Sequence, residues 1–251
     1  MTTMTHPDTA QTTSMSSSTG SVAIDTSDEF RLPVLDLYRD IHKGIRAELF
    51  AITSEAGSFD PSASCDWVAL ADHVGSVERL LSDHAGHEDT FVDPVLRELE
   101  PNLAEQIETD HHRLDALFAR LSELSTIGGS ASLDDRRRIA QLLYLDLSDF
   151  TSEYLRHQYV EERVVMPVLE SHVGFDEILG IHQAIIGSIP PDQMAASLAF
   201  MLPAMNVDDR TELLGGMKAG APPEAFAGVV GLARSVLVPA EFSKVATRLG
   251  L

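Results

Sequence analysis

A single cysteine, Cys65, in 251 residues excludes an internal disulfide framework and fits a reducing compartment. Basic residues are scarce: 18 Lys and Arg stand against 39 Asp and Glu, a formal charge of −21. Such a surface repels phosphate backbones and anionic lipid, so neither nucleic acid nor a membrane surface is an expected partner. Long apolar runs are missing as well. The most apolar stretches, Met194 to Met205 and Phe226 to Val238, are too short for a span or are broken by Arg234, Gly and Pro. The first residues lack both a basic and an apolar segment of the kind that directs secretion. The expectation is a cytoplasmic protein. At 44% hydrophobic and 23% charged, the chain suits one good core, or one domain with a smaller unit appended.

Residues 1–28 are Ser, Thr and Met with almost no large apolar side chains. They cannot bury enough surface to offset ordering entropy and read as a disordered tail, in which His6 is merely solvated. From Leu32 onward helical periodicity is almost continuous, and no alternating strand pattern of useful length occurs. The fold class is therefore all-α. Four stripes carry it: Leu35, Tyr38, His42, Ile45, Leu49, Ile52; then Val77, Leu81, His84, Glu88, Phe91, Val95; then Leu103, Ile107, His111, Leu114, Phe118, Leu121; then Leu147, Phe150, Tyr154, His157, Glu161, Val164, Val168. Breakers are expected at Gly57 to Ser64, at Glu100-Pro-Asn, and at Thr126 to Ser132 with its Gly-Gly pair. Short connections between four amphipathic helices imply an antiparallel up-down-up-down bundle over residues 29–172. Beyond it, residues 173–251 read as a small helical extension, with helices at Phe175–Ile189, Asp192–Met205, Asp208–Lys218, Glu224–Val238 and Glu241–Leu249.

The chemistry lies in a repeat. His84-Ala-Gly-His-Glu88 followed by Pro94-Val-Leu returns as His157-Gln-Tyr-Val-Glu161 followed by Pro167-Val-Leu, each with a second acid next, Asp89 and Glu162. Residues i and i+4 share a helix face, so each copy points an imidazole and a carboxylate at one spot. All four stripes carry a histidine where a core hydrophobe would otherwise sit: His42, His84, His111 and His157. A charged carboxylate on such a stripe is costly unless it is paired or ligates a metal. Glu88 and Glu161 with the four imidazoles thus form a nitrogen- and oxygen-rich ligand set. Six ligands exceed one tetrahedral zinc, and no cysteine ligands are on offer for a structural zinc site. They suit two ions bridged by the carboxylates and by water or oxide, with open positions left. Iron is favoured because this donor set supports dioxygen chemistry; manganese or a mixed pair fits the same donors.

Neighbouring residues divide between roles. Tyr38, one turn before His42, either hydrogen-bonds a ligand of the metal or packs in the core. His87 could reach the face of His84 or stay outside it, and Asp115, four residues after His111, is an oxygen ligand or a surface acid. Glu162, rotated about 140° from His157, is expected to face outward. His73, three turns from His84, lies too far away; His112, His172 and His182 default to structural or solvated roles.

His42, then His84-x-x-x-Glu88, then His111, then His157-x-x-x-Glu161, in that order, resembles the hemerythrin-like (HHE cation-binding) family. The resemblance covers about Leu32 to Ser171. It implies an antiparallel four-helix bundle with a non-haem di-iron centre, the histidines as terminal ligands and the two glutamates as bridges. Oxygen-carrying members have a further histidine where this chain has Asp115, and an aspartate where it has Glu162. The pattern is closer to bacterial hemerythrin-like proteins linked to oxygen, peroxide, nitric oxide or iron handling, some of which carry similar tails. Implied functions are a di-iron oxidoreductase of peroxidase or catalase type with an unknown electron donor, or an oxygen- or iron-responsive binding module without turnover. A ferritin-like store needs Glu-x-x-His on two helices, and only Glu108-Thr-Asp-His111 matches. A purely structural bundle would leave metal content indifferent to these residues.

Overall fold

The computed structural model describes residues 31–251. The Ser/Thr-rich tail, residues 1–28 with His6, lies outside the described residues. Among those described, every regular element is helical: α1 (Arg39–Ser58), α2 (Ser64–Phe91), α3 (Asp93–Leu99), α4 (Pro101–Ser130), α5 (Leu133–Val160), a π segment (Glu161–Val165), α6 (Met166–His172), α7 (Phe175–Ser188), α8 (Pro191–Ala204), α9 (Val207–Gly220), α10 (Pro223–Val236) and α11 (Pro239–Leu249). No helix among them is long and apolar enough to cross a membrane.

Proline punctuates the repeat in both copies. It lacks an N–H and its ring clashes with the carbonyl four residues back, so a helix reaching it must bend or change pitch. Pro94 stands in the first turn of α3, directly after the break at Val92. Pro167 stands in the first turn of α6, directly after the π segment, where the Met166 N–H bonds back to the Glu161 carbonyl.

α1, α2, α4 and α5 pack in a closed cycle, α1 on α2, α2 on α4, α4 on α5 and α5 on α1. Two apolar clusters occupy its interior. One holds Ile45, Leu81, Leu114 and Tyr154; the other holds Tyr38, Val92, Ile107 and Val165, roofed by Ile178 and Ile181 of α7. Each of the four chains thus crosses from one cluster to the other, and on each the crossing point carries the histidine of its stripe. α1 and α4 cross in one sense, α2 and α5 in the opposite sense. A third cluster, with Leu198, Leu202, Leu214, Ala233 and Val245, unites α8 to α11. α8 lies on α1, where a Cβ on Gly44 would come within 2.6 Å of the Phe200 ring. Beside it, Lys43 pairs with Asp209 and Arg39 with Glu212.

The break expected over Thr126 to Ser132 falls at its far end, at Ala131 and Ser132, and not at the Gly-Gly pair. α4 continues through Gly128 and Gly129 to Ser130, with the indole of Trp67 packed against both glycines in the space side chains would take. A Cβ on Gly128 would fall 2.1 Å from Trp67 Cζ3. The longer α4 also better matches the long run of α5 ahead of His157. The five expected C-terminal helices appear with ends shifted by one or two residues.

Two predictions follow from this packing. Gly128→Ala should destabilise by about 1–3 kcal/mol through overpacking, whereas Gly86→Ala, with nothing within 4 Å, should stabilise by about 0.5–1 kcal/mol through helix propensity. Urea unfolding of both variants checks this; equal shifts of the same sign would refute the Trp67 argument. The second concerns His73, which clips α2 to α1 through Glu55 at 2.6 Å and Glu48 at 3.0 Å. Burial pulls its pKa down, but the two carboxylates outweigh burial and raise it above 6.5. The folded state then holds a proton the unfolded state releases, so this contribution is full below about pH 6.5 and fades as pH rises through the folded value. The stability gap between wild type and His73→Gln should be wider at pH 6 than at pH 8.5, measured by urea unfolding at each pH.

Candidate metal centre

His42, His84, Glu88, His111, His157 and Glu161 all converge at the level where the four long helices cross between apolar clusters. Each is buried, Glu88 at 6% and Glu161 at 1% exposure. They resolve into two quartets, His42, His84, Glu88, Glu161 and Glu88, His111, His157, Glu161, whose ligand atoms lie within 4.8 Å of one another. Both glutamates belong to both quartets, and they do so atom by atom. Glu88 turns Oε1 to His84 Nε2 at 3.2 Å and Oε2 to His111 Nε2 at 3.1 Å. Glu161 turns Oε2 to His42 Nε2 at 3.4 Å and Oε1 to His157 Nε2 at 2.9 Å and His111 Nε2 at 3.5 Å. His42 Nε2 and His84 Nε2 are 3.1 Å apart.

Despite those separations, both oxygens of Glu88 and of Glu161, and Nε2 of His111 and His157, have no hydrogen-bond partner. The atoms point past one another toward shared points. Ligands held about 2.0–2.2 Å from one ion at right angles lie about 3 Å apart, which is the spacing seen. Each unsatisfied buried polar atom costs about 1–3 kcal/mol, more when charged, against a total stability of about 5–15 kcal/mol for a typical domain. Protein contacts alone do not balance that sum, whereas cations at the two shared points would. These residues could therefore hold metal.

Electrostatics agree. Burial, then the Glu161 charge, pushes the Glu88 carboxyl well above the usual range. Burial also opposes ionisation of Glu161, but His157, His111 and His42 hold it well below. Burial lowers His84, helped by the neighbouring imidazole of His42. His111 is lowered by burial yet carried up to about 11 by Glu161 and Glu88. Without metal, a proton on His111 is the cation that partly serves these acids.

The structure reassigns Glu162. Instead of facing outward it is half-buried against α1, receiving His42 Nδ1 at 2.9 Å and a two-pronged grip from Arg46 at 2.7 and 2.9 Å. The position lies in the π segment directly after α5, on the flank that faces α1, so it is interfacial. Burial opposes its charge, but His42 and Arg46 bring its pKa down to about 2. An ionised carboxylate only accepts, so His42 donates from Nδ1 and turns Nε2 toward the quartet. Asp89 supports His111 from the same side of its ring, its Oδ1 2.7 Å from His111 Nδ1. Sequence reasoning missed both supports, although the signal was there: the second acid of each copy serves a histidine on another helix. Gln158, fully buried beside His157, has neither amide atom paired, which nothing else in the structure explains.

Tyr38 is buried, its ring 5.2 Å from that of His42. It lines a cavity of about 10 Å³ together with Glu88, His111 and Glu161, enough for one water-sized molecule. Burial and the charges of both glutamates keep its hydroxyl protonated well above the ordinary range. His87 is half-buried and outside both quartets; Asp115 is exposed and outside them too. His73 lies apart with Glu48 and Glu55, His112 and His172 are exposed, and His182 is half-buried.

No family model matches the chain, and no solved structure matches it. Among curated proteins it is similar to the Zinc finger protein BRUTUS of Arabidopsis thaliana, 24% identical over 192 residues. That match spans 76% of this chain and 15% of the plant protein.

Proposed function

We propose that the chain is a hemerythrin-like protein whose α1, α2, α4 and α5 form an antiparallel up-down-up-down bundle around two iron ions. In this reading His42 and His84 would hold one ion and His111 and His157 the other, with Glu88 and Glu161 serving both. One observation carries it: each glutamate presents one oxygen to each quartet, so two positions share both acids. The likeness to the plant protein is consistent with a metal-related segment, but not with a finger. A zinc finger needs two or more cysteines, and this chain has one.

The bound ions would supply Lewis acidity and electrons to a small oxidant: peroxide, dioxygen or nitric oxide. The chain's own residues would do the rest. Glu162 and Asp89 fix the tautomer and aim of His42 and His111. The apolar clusters on either side exclude bulk water. Tyr38, held protonated, offers its hydroxyl to a ligand in the adjacent water-sized cavity. Peroxidase- or catalase-like turnover is the enzymatic form of this reading, with an electron donor still to be identified.

A second reading has its own support. α1 carries His42 and, directly after it, Lys43 and Gly44, on which the C-terminal helices dock. Metal occupancy could then set how firmly residues 173–251 are held, as in a sensor module. Limited proteolysis of metal-free and loaded protein separates the two: identical cleavage of residues 173–251 removes the sensor reading.

Anaerobic ferrous loading followed by metal analysis should give two irons per chain, with new absorption bands on adding peroxide or oxygen. His84→Ala and Glu161→Ala should lose at least one ion each while remaining helical by circular dichroism. Glu162→Gln and Asp89→Asn should keep the ligands but weaken iron affinity about 10–100-fold. Iron content unchanged in all four variants would overturn the proposal.

A further inference from the structure

A second, much larger cavity opens on the other side of the candidate centre from Tyr38. Its volume is about 240 Å³, and it lies among α2, α4 and α5. The floor is apolar and buried: Leu81, Leu114, Phe118, Phe150 and Tyr154. The mouth is polar, with Ser82 and Asp115 exposed and Glu78 half-buried. The floor adjoins the quartets on all three helices. Leu81 is one turn before His84, Leu114 is one turn after His111, and the Tyr154 ring stands 5.7 Å from that of His157. Phe118, Phe150 and Tyr154 form a continuous wall of rings, at 4.9 and 5.6 Å between successive centroids.

Size and lining narrow what fits. An apolar cavity of about 150 Å³ holds benzene, so this one accepts a ring-sized molecule with room for a substituent and is far larger than a diatomic needs. Apolar walls favour a hydrophobic body. Two carboxylates at the mouth, on a chain of net charge −21, disfavour anions by like-charge repulsion.

We propose that this cavity is a binding site for a small, uncharged, ring-sized organic molecule, held one helical turn from the metal centre. The claim that it sits beside metal rests on the reading above; the claim that it binds does not. Tyr154 forms the partition between the two spaces, and Asp115 at the mouth selects against negative charge.

Fluorine NMR with 4-fluorophenol and 4-fluorobenzoate, on the full chain with and without ferrous iron at pH 7, tests this. Fluorophenol should bind at about millimolar Kd, as expected for so few heavy atoms, and at least tenfold more tightly than fluorobenzoate. Ala119→Phe, at an exposed position on the cavity wall, should weaken fluorophenol at least tenfold while the fold is kept. Asp115→Asn should strengthen fluorobenzoate several-fold. With iron loaded, the bound fluorine signal should broaden further, and Ala119→Phe should abolish that effect. Equal binding of the two probes, or fluorophenol binding indifferent to Ala119→Phe, overturns the proposal. Protein that takes iron but ignores fluorophenol refutes the cavity and spares the centre. Protein that refuses iron yet binds fluorophenol supports the cavity and refutes the centre.

Discussion

Two carboxylates buried among the apolar faces of four long helices are the constraint on which the architecture turns. Glu88 and Glu161 have four oxygens between them and no hydrogen-bond donor aligned to any. Apolar side chains in their place would pack without penalty, and the four imidazoles around them would then have no purpose. The arrangement could hold positive charge at the points the acids share. Its surroundings suit that role: apolar clusters above and below that keep water from relieving the acids, and outer carboxylates that orient His42 and His111.

Those outer supports cross between helices. The acid after Glu88 on α2 steadies the histidine of α4, and the acid after Glu161 steadies the histidine of α1. Each copy of the repeat therefore supplies one inward histidine–glutamate pair and one buttress for a histidine with no glutamate four residues on. This division explains why His42 and His111 stand alone in the sequence while His84 and His157 come with glutamates. It also ties the four helices together through polar contacts at the one level where apolar packing is interrupted.

Most of this was legible in the residues. The spacing of three and four along each stripe identified the helices, and the one histidine on each stripe identified the layer. Where reading failed, the missing information was tertiary. Gly128 and Gly129 look like a helix stop, and only the Trp67 indole resting on them lets α4 continue. Glu162 looks solvent-facing by angle alone, and only the neighbouring Arg46 and His42 make that flank an interface. The docking of α8 on α1 through Gly44 and Phe200 left no periodic trace at all. Local pattern encodes which face is buried; it does not encode which neighbour covers it.

The π segment has a consequence for the roof of the molecule. Widening one turn accommodates an additional residue without ending the helix, so everything past Val165 is turned by roughly 100° from where an unbroken α-helix would carry it. Met166 and Leu169 reach the cluster beneath α7 in that rotated phase. One extra residue in the winding thus sets the aim of α6, and deleting a single residue between Glu162 and Val165 would swing the side chains beneath α7 out of register while leaving all four histidines and both glutamates of the cluster in the chain.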